Sequence, residues 1–366
     1  MIGENFTEMP RTQTKKELLL RACRFQAIDR VPVWIMRQAG RYLPDYQAVR
    51  AKNTFLEICK TPELAAEVSL QPLRVLDVDA VIVLSDILIV AEAMGLPLAV
   101  PDSGPVLSNP VRDAAAVARL RDFDPSNETR FVGDAISRIC REVGPDVPVI
   151  GFAAAPWTLA CYMIEGQTRG DISRAKQMLR DEPRVVHALL QRIARVTTAY
   201  LAAQIEAGAS VVQLFDTWAI GLTPEEYSEF ELPATQQIIE SLGRTLTDSE
   251  EPDEVPKILF AKGSEHHLES MAQSGADVLS VDSTTDLGEA RKQLRDEVAL
   301  QGNVDSGILL GDQAQIVEAV RAAIEKTGGL GHILNLGHGI LPNTPVENAK
   351  LFVESARRVQ VTAPQD

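Results

Sequence analysis

Short apolar, β-branched runs punctuate this chain, and nearly every one ends in a polar residue or a glycine. They are VPVWIM (31–36), DAVIVLSD (79–86), VPVIGFAAAP (147–156), SVVQLFDT (210–217), KILFAK (257–262), VLSVD (278–282), VALQGNVD (298–305) and HILNLGHG (332–339). Near-continuous apolar runs of this length mark strands covered on both faces, as in a parallel sheet. Helical patterns lie between them. TPELAAEVSLQPLRVLD opens with a cap-type Thr61 and places Pro62 at the first helical position. Pro183 to Gly208 is a long amphipathic segment. DQAQIVEAVRAAIEKTGG sets Ile316, Val317, Val320 and Ile324 on one face and stops at Gly328 and Gly329. Eight strands alternating with helices predict an α/β fold, a single-domain (β/α)8 TIM barrel. The alternative is a doubly wound open sheet. No GxGxxG follows an early strand, which disfavours a dinucleotide-binding version of it.

The pattern assigns residues 14–360 to the barrel, 1–13 to a flexible N-terminal arm and 361–366 to a tail. Two insertions interrupt the alternation. Residues 87–125, with ILIVAEAMGLPLAVPDSGPVLSNP, are too long for a plain barrel loop and predict a β-hairpin or lid. TLTDSEEPDEVP, 245–256, reads as a solvated acidic loop.

Composition narrows the function classes. The 366 residues, 45% apolar and 24% charged, suit a soluble globular protein. No apolar run is long enough for a membrane span, and the polar N-terminus lacks the apolar centre of a signal peptide, so a cytoplasmic location is expected. The net charge of −15 argues against a nucleic-acid partner, because phosphate binding needs a basic surface. Cys23, Cys59, Cys140 and Cys161 form no CxxC pair and have no histidine at ligand spacing. They read as buried core residues, not as a zinc site or a disulfide framework.

In a barrel the active site lies at the C-terminal ends of the strands. That rule nominates Arg37 and Arg41, Asp86, Tyr162, Asp216 and Thr217, Lys262, Asp282, Asp305 and His338. Arg37 and Arg41 repel if the segment is helical, so an anion is expected between them. Asp86 also fits a cap on the next helix. Tyr162 also fits a core position, and Thr217 a turn or cap. Lys262 could form a Schiff base, but Lys262-Gly263-Ser264 also reads as a plain loop start. His338 is flanked by Gly337 and Gly339, which let the backbone turn tightly. His266 and His267 read as a solvated helix start.

Five segments then carry a resemblance. VPVWIMRQAGRYLPDY, GFAAAPWTLACYMIEG, LFDTWAIGLTPEEY, LQGNVD and LNLGHGILPNTPVENAK resemble the uroporphyrinogen decarboxylase family, in that family's order and spread from about Thr14 to Arg358. The resemblance implies a (β/α)8 barrel, a homodimer with facing clefts, and no cofactor or metal. It implies conversion of uroporphyrinogen III to coproporphyrinogen III in tetrapyrrole synthesis, as four acetate side chains become methyl groups. Its substrate-contacting positions fall on Arg37, Gln38, Ala39, Gly40, Arg41, Asp86, Tyr162, Thr217 and His338. The resemblance makes Arg37 a candidate acid, and the need for a fixed carboxylate beside a cationic pyrrole makes Asp86 the expected catalytic partner. One departure stands out. Where the family reads F-[DE]-S-x-A-G, this chain reads FDTWAI, with Thr217 for serine and Ile220 for glycine. Threonine keeps the hydroxyl, whereas Ile220 adds bulk to that loop. A related barrel group transfers methyl groups with zinc held by His and Cys, and the missing His/Cys cluster argues against it here. A non-catalytic tetrapyrrole-binding protein is a further alternative, and the presence of Arg37, Asp86, Tyr162 and His338 together argues against that.

Overall fold

The computed structural model describes residues 12–101, 104–167, 170–245, 255–295 and 297–359. The expected tail, nearly all of the arm and most of the acidic loop lie outside them. The strands are β1 (Val81–Ile82), β2 (Leu98–Ala99), β3 (Val106–Leu107), β4 (Val149–Ala154), β5 (Val211–Asp216), β6 (Lys257–Ala261), β7 (Val278–Val281), β8 (Ala299–Val304) and β9 (His332–Leu336). Seven of them form one sheet in the order β1-β4-β5-β6-β7-β8-β9, every pair parallel. Helices cover its outer face, the longest being Pro183–Glu206. The fold is thus a parallel α/β sheet, as the alternation of strand and helix patterns predicts.

The first apolar run differs from expectation. Residues 31–36 make a single parallel bridge, Val33 to Leu334 of β9, and no strand. Only Trp34 N joins a ladder, donating to Leu334 O at 3.3 Å, and three other donors of this run go to side chains. Val33 N donates to Asp79 Oδ2 (2.9 Å), Ile35 N to Gln38 Oε1 (3.0 Å) and Met36 N to Asn335 Oδ1 (2.8 Å). Pro32 has no N–H to give. On the other side, Asp79 N donates to Val33 O at 2.8 Å. The Asp79 carboxylate also receives Arg30 through two bonds of 2.6 and 2.7 Å. β1 is short for a similar reason: beyond it, Leu84 N turns to the Ser69 hydroxyl at 2.7 Å.

Two cores result. The larger one packs helices on the outer face of the sheet. The smaller one joins Ile150, Val211, Ile258, Val278, Ala299 and Ile333, one from each of six strands, to the helix Lys15–Cys23 and to Trp34. A polar layer lies beside it. Gln301 accepts from Trp34 Nε1 (2.9 Å) and donates to Ser280 (2.9 Å) and Gln213 (3.2 Å). These bonds satisfy the Gln301 amide, while Gln213 Nε2 stays buried without a partner among the described residues.

The insertion at 87–125 contains the expected hairpin, β2 antiparallel to β3. It is tied to the helix Pro156–Glu165 by Leu107 N to Gly166 O (2.6 Å) and Val111 N to Met163 O (2.8 Å). Three local expectations change. Thr61 precedes the helix Pro62–Leu76, but its side chain caps nothing. Val317 is 42% exposed, while Ile316, Val320 and Ile324 are buried, so the apolar face of Gln313–Thr327 is narrower than the pattern suggests. His267 is buried against Tyr227, with ring centroids 4.6 Å apart, and is not a solvated helix start.

Candidate active site

A cleft of about 560 Å³ opens where the turn after residue 36, the segment after β1, the ends of β4 and β5, and the loop after β9 meet. Arg37, Ala39, Gly40, Arg41, Asp86, Thr217 and His338 all line it. Strand ends at β6, β7 and β8 do not contribute side chains. Lys262 is half-buried beside it, Asp282 is buried in hydrogen bonds from Gly263 N and Thr284, and Asp305 is an exposed cap on Gly307 N. The cleft is therefore one-sided.

The turn that carries the arginines is not helical. Arg37 has φ of 62°, in the left-handed region that costs a non-glycine residue about 1 kcal/mol. Among the described residues neither the Arg37 nor the Arg41 side chain makes a hydrogen bond or ion pair, and both are exposed. Two guanidinium groups without internal partners thus face one cavity in a protein of net charge −15. Such an arrangement suits a planar anion, which each fork can take with two parallel bonds. Gln38 turns away: its fully buried amide donates to Ala80 O and accepts from Ile35 N, which fixes the turn from below.

Gly337 and Gly339 flank His338, and neither has a positive φ. Their role is close approach, not the tight turn expected of them. A Cβ on Gly337 would lie 2.3 Å from Ser283 N, and one on Gly339 would lie 2.3 Å from Arg37 Cδ. The loop after β9 is thereby pressed against the arginine.

Asp86 is half-buried. One carboxylate oxygen accepts from Leu88 N at 2.7 Å, which closes a turn ahead of the helix Ile89–Ala93; the start of that helix has no side-chain cap, so the capping role read from sequence is not met. The other oxygen has no protein partner among the described residues. Burial raises its pKa, the Leu88 amide opposes that, Glu92 adds to it and nearby Arg37 opposes it. His338 is pushed down to about 4, by burial first and then by Arg37 and Lys262. Its imidazole is therefore neutral near pH 7 and presents one N–H donor.

Sequence reasoning missed the apolar floor. Phe152 and Phe215 line the cleft and meet edge to face at 5.7 Å, and behind them the fully buried Phe260 meets Phe215 at 5.9 Å and His338 at 6.3 Å. These phenylalanines lie on β4, β5 and β6, with Phe215 and Phe260 in register. A phenylalanine one or two residues before each strand end was the available signal. Tyr162 does not line the cleft. It is half-buried on Pro156–Glu165 and packs edge-on to Trp218 at 6.4 Å. Ile220 is 50% exposed on a single 3-10 turn, Ala219–Gly221, so its bulk points outward.

The family model described as uroporphyrinogen decarboxylase (URO-D) matches residues 14–359. The chain belongs to the uroporphyrinogen decarboxylase family. It is 47% identical over 348 residues to the uroporphyrinogen decarboxylase of Alkalilimnicola ehrlichii, covering 94% of each chain. It is 48% identical to that of Geobacter metallireducens, covering 93% of this chain and 98% of the other. Among solved structures, a methyltransferase from Methanosarcina mazei superposes with a TM-score of 0.76 at 23% identity, covering 94% of this chain and 98% of that one. That likeness concerns the fold. Among the described residues no three His, Cys, Asp or Glu side chains gather as a metal centre would require.

Proposed function

We propose that this cleft decarboxylates the four acetate side chains of uroporphyrinogen III to give coproporphyrinogen III, with Asp86 and Arg37 as its catalytic residues. Membership of the uroporphyrinogen decarboxylase family makes the chain a carboxy-lyase of tetrapyrrole biosynthesis. The observation that supports the site assignment is the meeting of two guanidiniums, without partners among the described residues, with a partly buried carboxylate in one cavity.

The chemistry follows from the substrate. Decarboxylation leaves an electron pair on the acetate methylene, and the pyrrole itself is the sink. A proton adds to the ring carbon next to the one bearing the acetate, which makes the ring cationic. The bond to the carboxylate breaks, carbon dioxide leaves, and the electron pair moves into the ring through an exocyclic double bond. A second proton converts the methylene to methyl, and loss of the first restores the pyrrole. The net change is uptake of one proton and release of one carbon dioxide per acetate. Asp86 faces the pyrrole N–H groups and stabilises the cation, a contribution of about 3 kcal/mol by analogy with preorganised dipoles in dry sites. The first proton arrives at Arg37, from the guanidinium or from a water it holds. Arg41, Thr217 and neutral His338 bind peripheral carboxylates, as do the backbone amides at Ala39 and Gly40, and Tyr162 from the cleft's edge; the Gln38 backbone amide is instead held by Ile35 O at 2.8 Å. The phenylalanine floor supports the macrocycle.

The reading extends to architecture. The bridge at Val33 and the clasp at Asp79 support closure of the sheet into a (β/α)8 barrel, with residues 31–36 in the eighth position. A cytoplasmic homodimer without cofactor, nucleic acid or membrane partner completes it. No helix among the described residues is long and apolar enough to cross a membrane.

The test is an anaerobic incubation of the protein alone with uroporphyrinogen III, followed by oxidation and separation by carboxyl number. A ladder from eight carboxyls to four is expected. Tight binding without product would replace the enzyme by a binding protein.

A further inference from the structure

Beneath the Thr217 loop lies a buried acid pair that the reaction above does not use. Asp216 ends β5 and Glu231 ends one turn of π-helix, Tyr227–Glu231, and both side chains are fully buried. Turns of this kind recur at functional sites. Both carboxyls hold the start of the helix Pro156–Glu165. Glu231 Oε2 accepts from Trp157 N at 2.6 Å, which caps the helix Pro156–Glu165, and Oε1 accepts from Thr235 at 2.5 Å. Trp157 N is one of the donors a helix start leaves without an internal partner. Asp216 Oδ1 accepts from the Thr158 hydroxyl at 2.5 Å. With its proton committed there, the Thr158 oxygen accepts from Trp218 N at 3.0 Å. Trp157 Nε1 donates to Trp218 O at 3.2 Å, and the His267 ring contacts Ala219 O at 3.1 Å.

We propose that the Asp216–Glu231 pair, acting through Thr158, is the positioning element that locks the Tyr162 helix to the Thr217 loop, so that both substrate-binding side chains are held as one unit. The inference rests on the reading of Thr217 and Tyr162 as carboxylate binders. Thr217 sits between Asp216 and Trp218, both fixed in this network, and Tyr162 packs on the Trp218 ring. Burial pushes both carboxyls upward, and the Asp216 charge pushes Glu231 further. Each carboxyl thus resists ionisation more because the other is near. Among the described residues Asp216 Oδ2 and the Tyr227 hydroxyl are both buried without a hydrogen-bond partner, and Tyr227 feels both acids. Cys161 faces the pair from the Tyr162 helix, and His267 stacks behind Tyr227.

The experiment compares Thr158→Val, Thr158→Ser, Thr217→Val and the Thr158→Val/Thr217→Val double variant by KM and kcat for uroporphyrinogen III, with melting temperatures alongside. Thr158→Val keeps the volume and breaks the relay, and a KM rise of about tenfold is expected from loss of a charge-assisted bond, with kcat nearly retained. Thr158→Ser restores KM. The double variant costs less than the product of the single effects, because Thr217 is already displaced. Should Thr158→Val not fold, Asp216→Asn takes its place, with a smaller KM rise expected. A folded Thr158→Val or Asp216→Asn chain with unchanged KM, or effects that multiply, would overturn the positioning role while leaving Thr217 as a binder. An unchanged KM in Thr217→Val would overturn both that binding role and the inference, while turnover by the unaltered chain leaves the decarboxylase reading intact.

Discussion

Gly339→Ala tests whether Arg37 works where the structure holds it. Gly339 has no left-handed φ, so alanine suits its backbone. The added Cβ would lie 2.3 Å from Arg37 Cδ, 2.9 Å from Cγ and 3.0 Å from Nε. All three atoms belong to a long flexible side chain, so the arginine swings aside at a cost of about 1 kcal/mol in rotamer strain. The fold survives, but the guanidinium leaves the cleft. Losing one charge-assisted bidentate contact costs about 1.5–3 kcal/mol, or roughly 10- to 100-fold in kcat/KM. The assay is anaerobic turnover of uroporphyrinogen III, with thermal unfolding as the check on folding. Gly337→Ala is the contrast. There the new Cβ would meet Ser283 backbone at 2.3 Å (N) and 2.9 Å (Cα), which cannot swing aside, so stability falls instead. A folded Gly339→Ala chain with unaltered kcat/KM would refute the reasoning, because Arg37 would then be dispensable in this position.

Other expectations follow from the same structure. Asp86→Asn keeps an acceptor for Leu88 N but removes the charge, and turnover should fall by about 100-fold or more; a rate within tenfold of the unaltered chain would remove Asp86 from the mechanism. Asp79→Asn breaks a carboxylate held by Arg30 and Val33 N, so the seam between residues 31–36 and β1 should lose about 3 kcal/mol in urea unfolding; a loss under 1 kcal/mol would mean the clasp is not what holds it. His332 is fully buried between Thr327 and Gly302 O, and burial pushes it from 6.5 down to about 4. The unfolded chain therefore binds the extra proton, and stability is full above about 6.5 and declines as pH falls toward 4, by about 2 kcal/mol at pH 5. His332→Gln should flatten that slope in urea titrations at pH 7 and 5, and parallel slopes would count against it.

The strand ends are where sequence and structure agree most closely. The rule that barrel chemistry sits after each strand reached Arg37, Arg41, Asp86, Thr217 and His338, and all five line the cleft. It also nominated Lys262, Asp282 and Asp305, which do not line it. Nothing local distinguishes them, because an aspartate after an apolar run looks the same whether it faces a cleft, a loop amide or solvent. Tyr162 and Gln38 illustrate the same limit. Their motifs mark them, but only packing turns Gln38 toward Ala80 O and sets Tyr162 against Trp218.

What the sequence determined by itself was the alternation of apolar runs and amphipathic segments, hence the parallel α/β sheet, and the family motifs, hence the chemistry. Both are short-range signals, carried by side-chain period and residue identity. The tertiary structure decided the rest. Residues 31–36 read as a strand, yet Asp79, Gln38 and Asn335 take their amides from 46, 3 and 299 positions away. Gly337 and Gly339 read as turn glycines, yet each is small because another segment presses on it. The acid pair under Thr217 joins β5 to a π-helical turn and a separate helix start. Partners so far apart along the chain leave no period or spacing to read, since hydrogen bonds and contacts depend on distance in space alone.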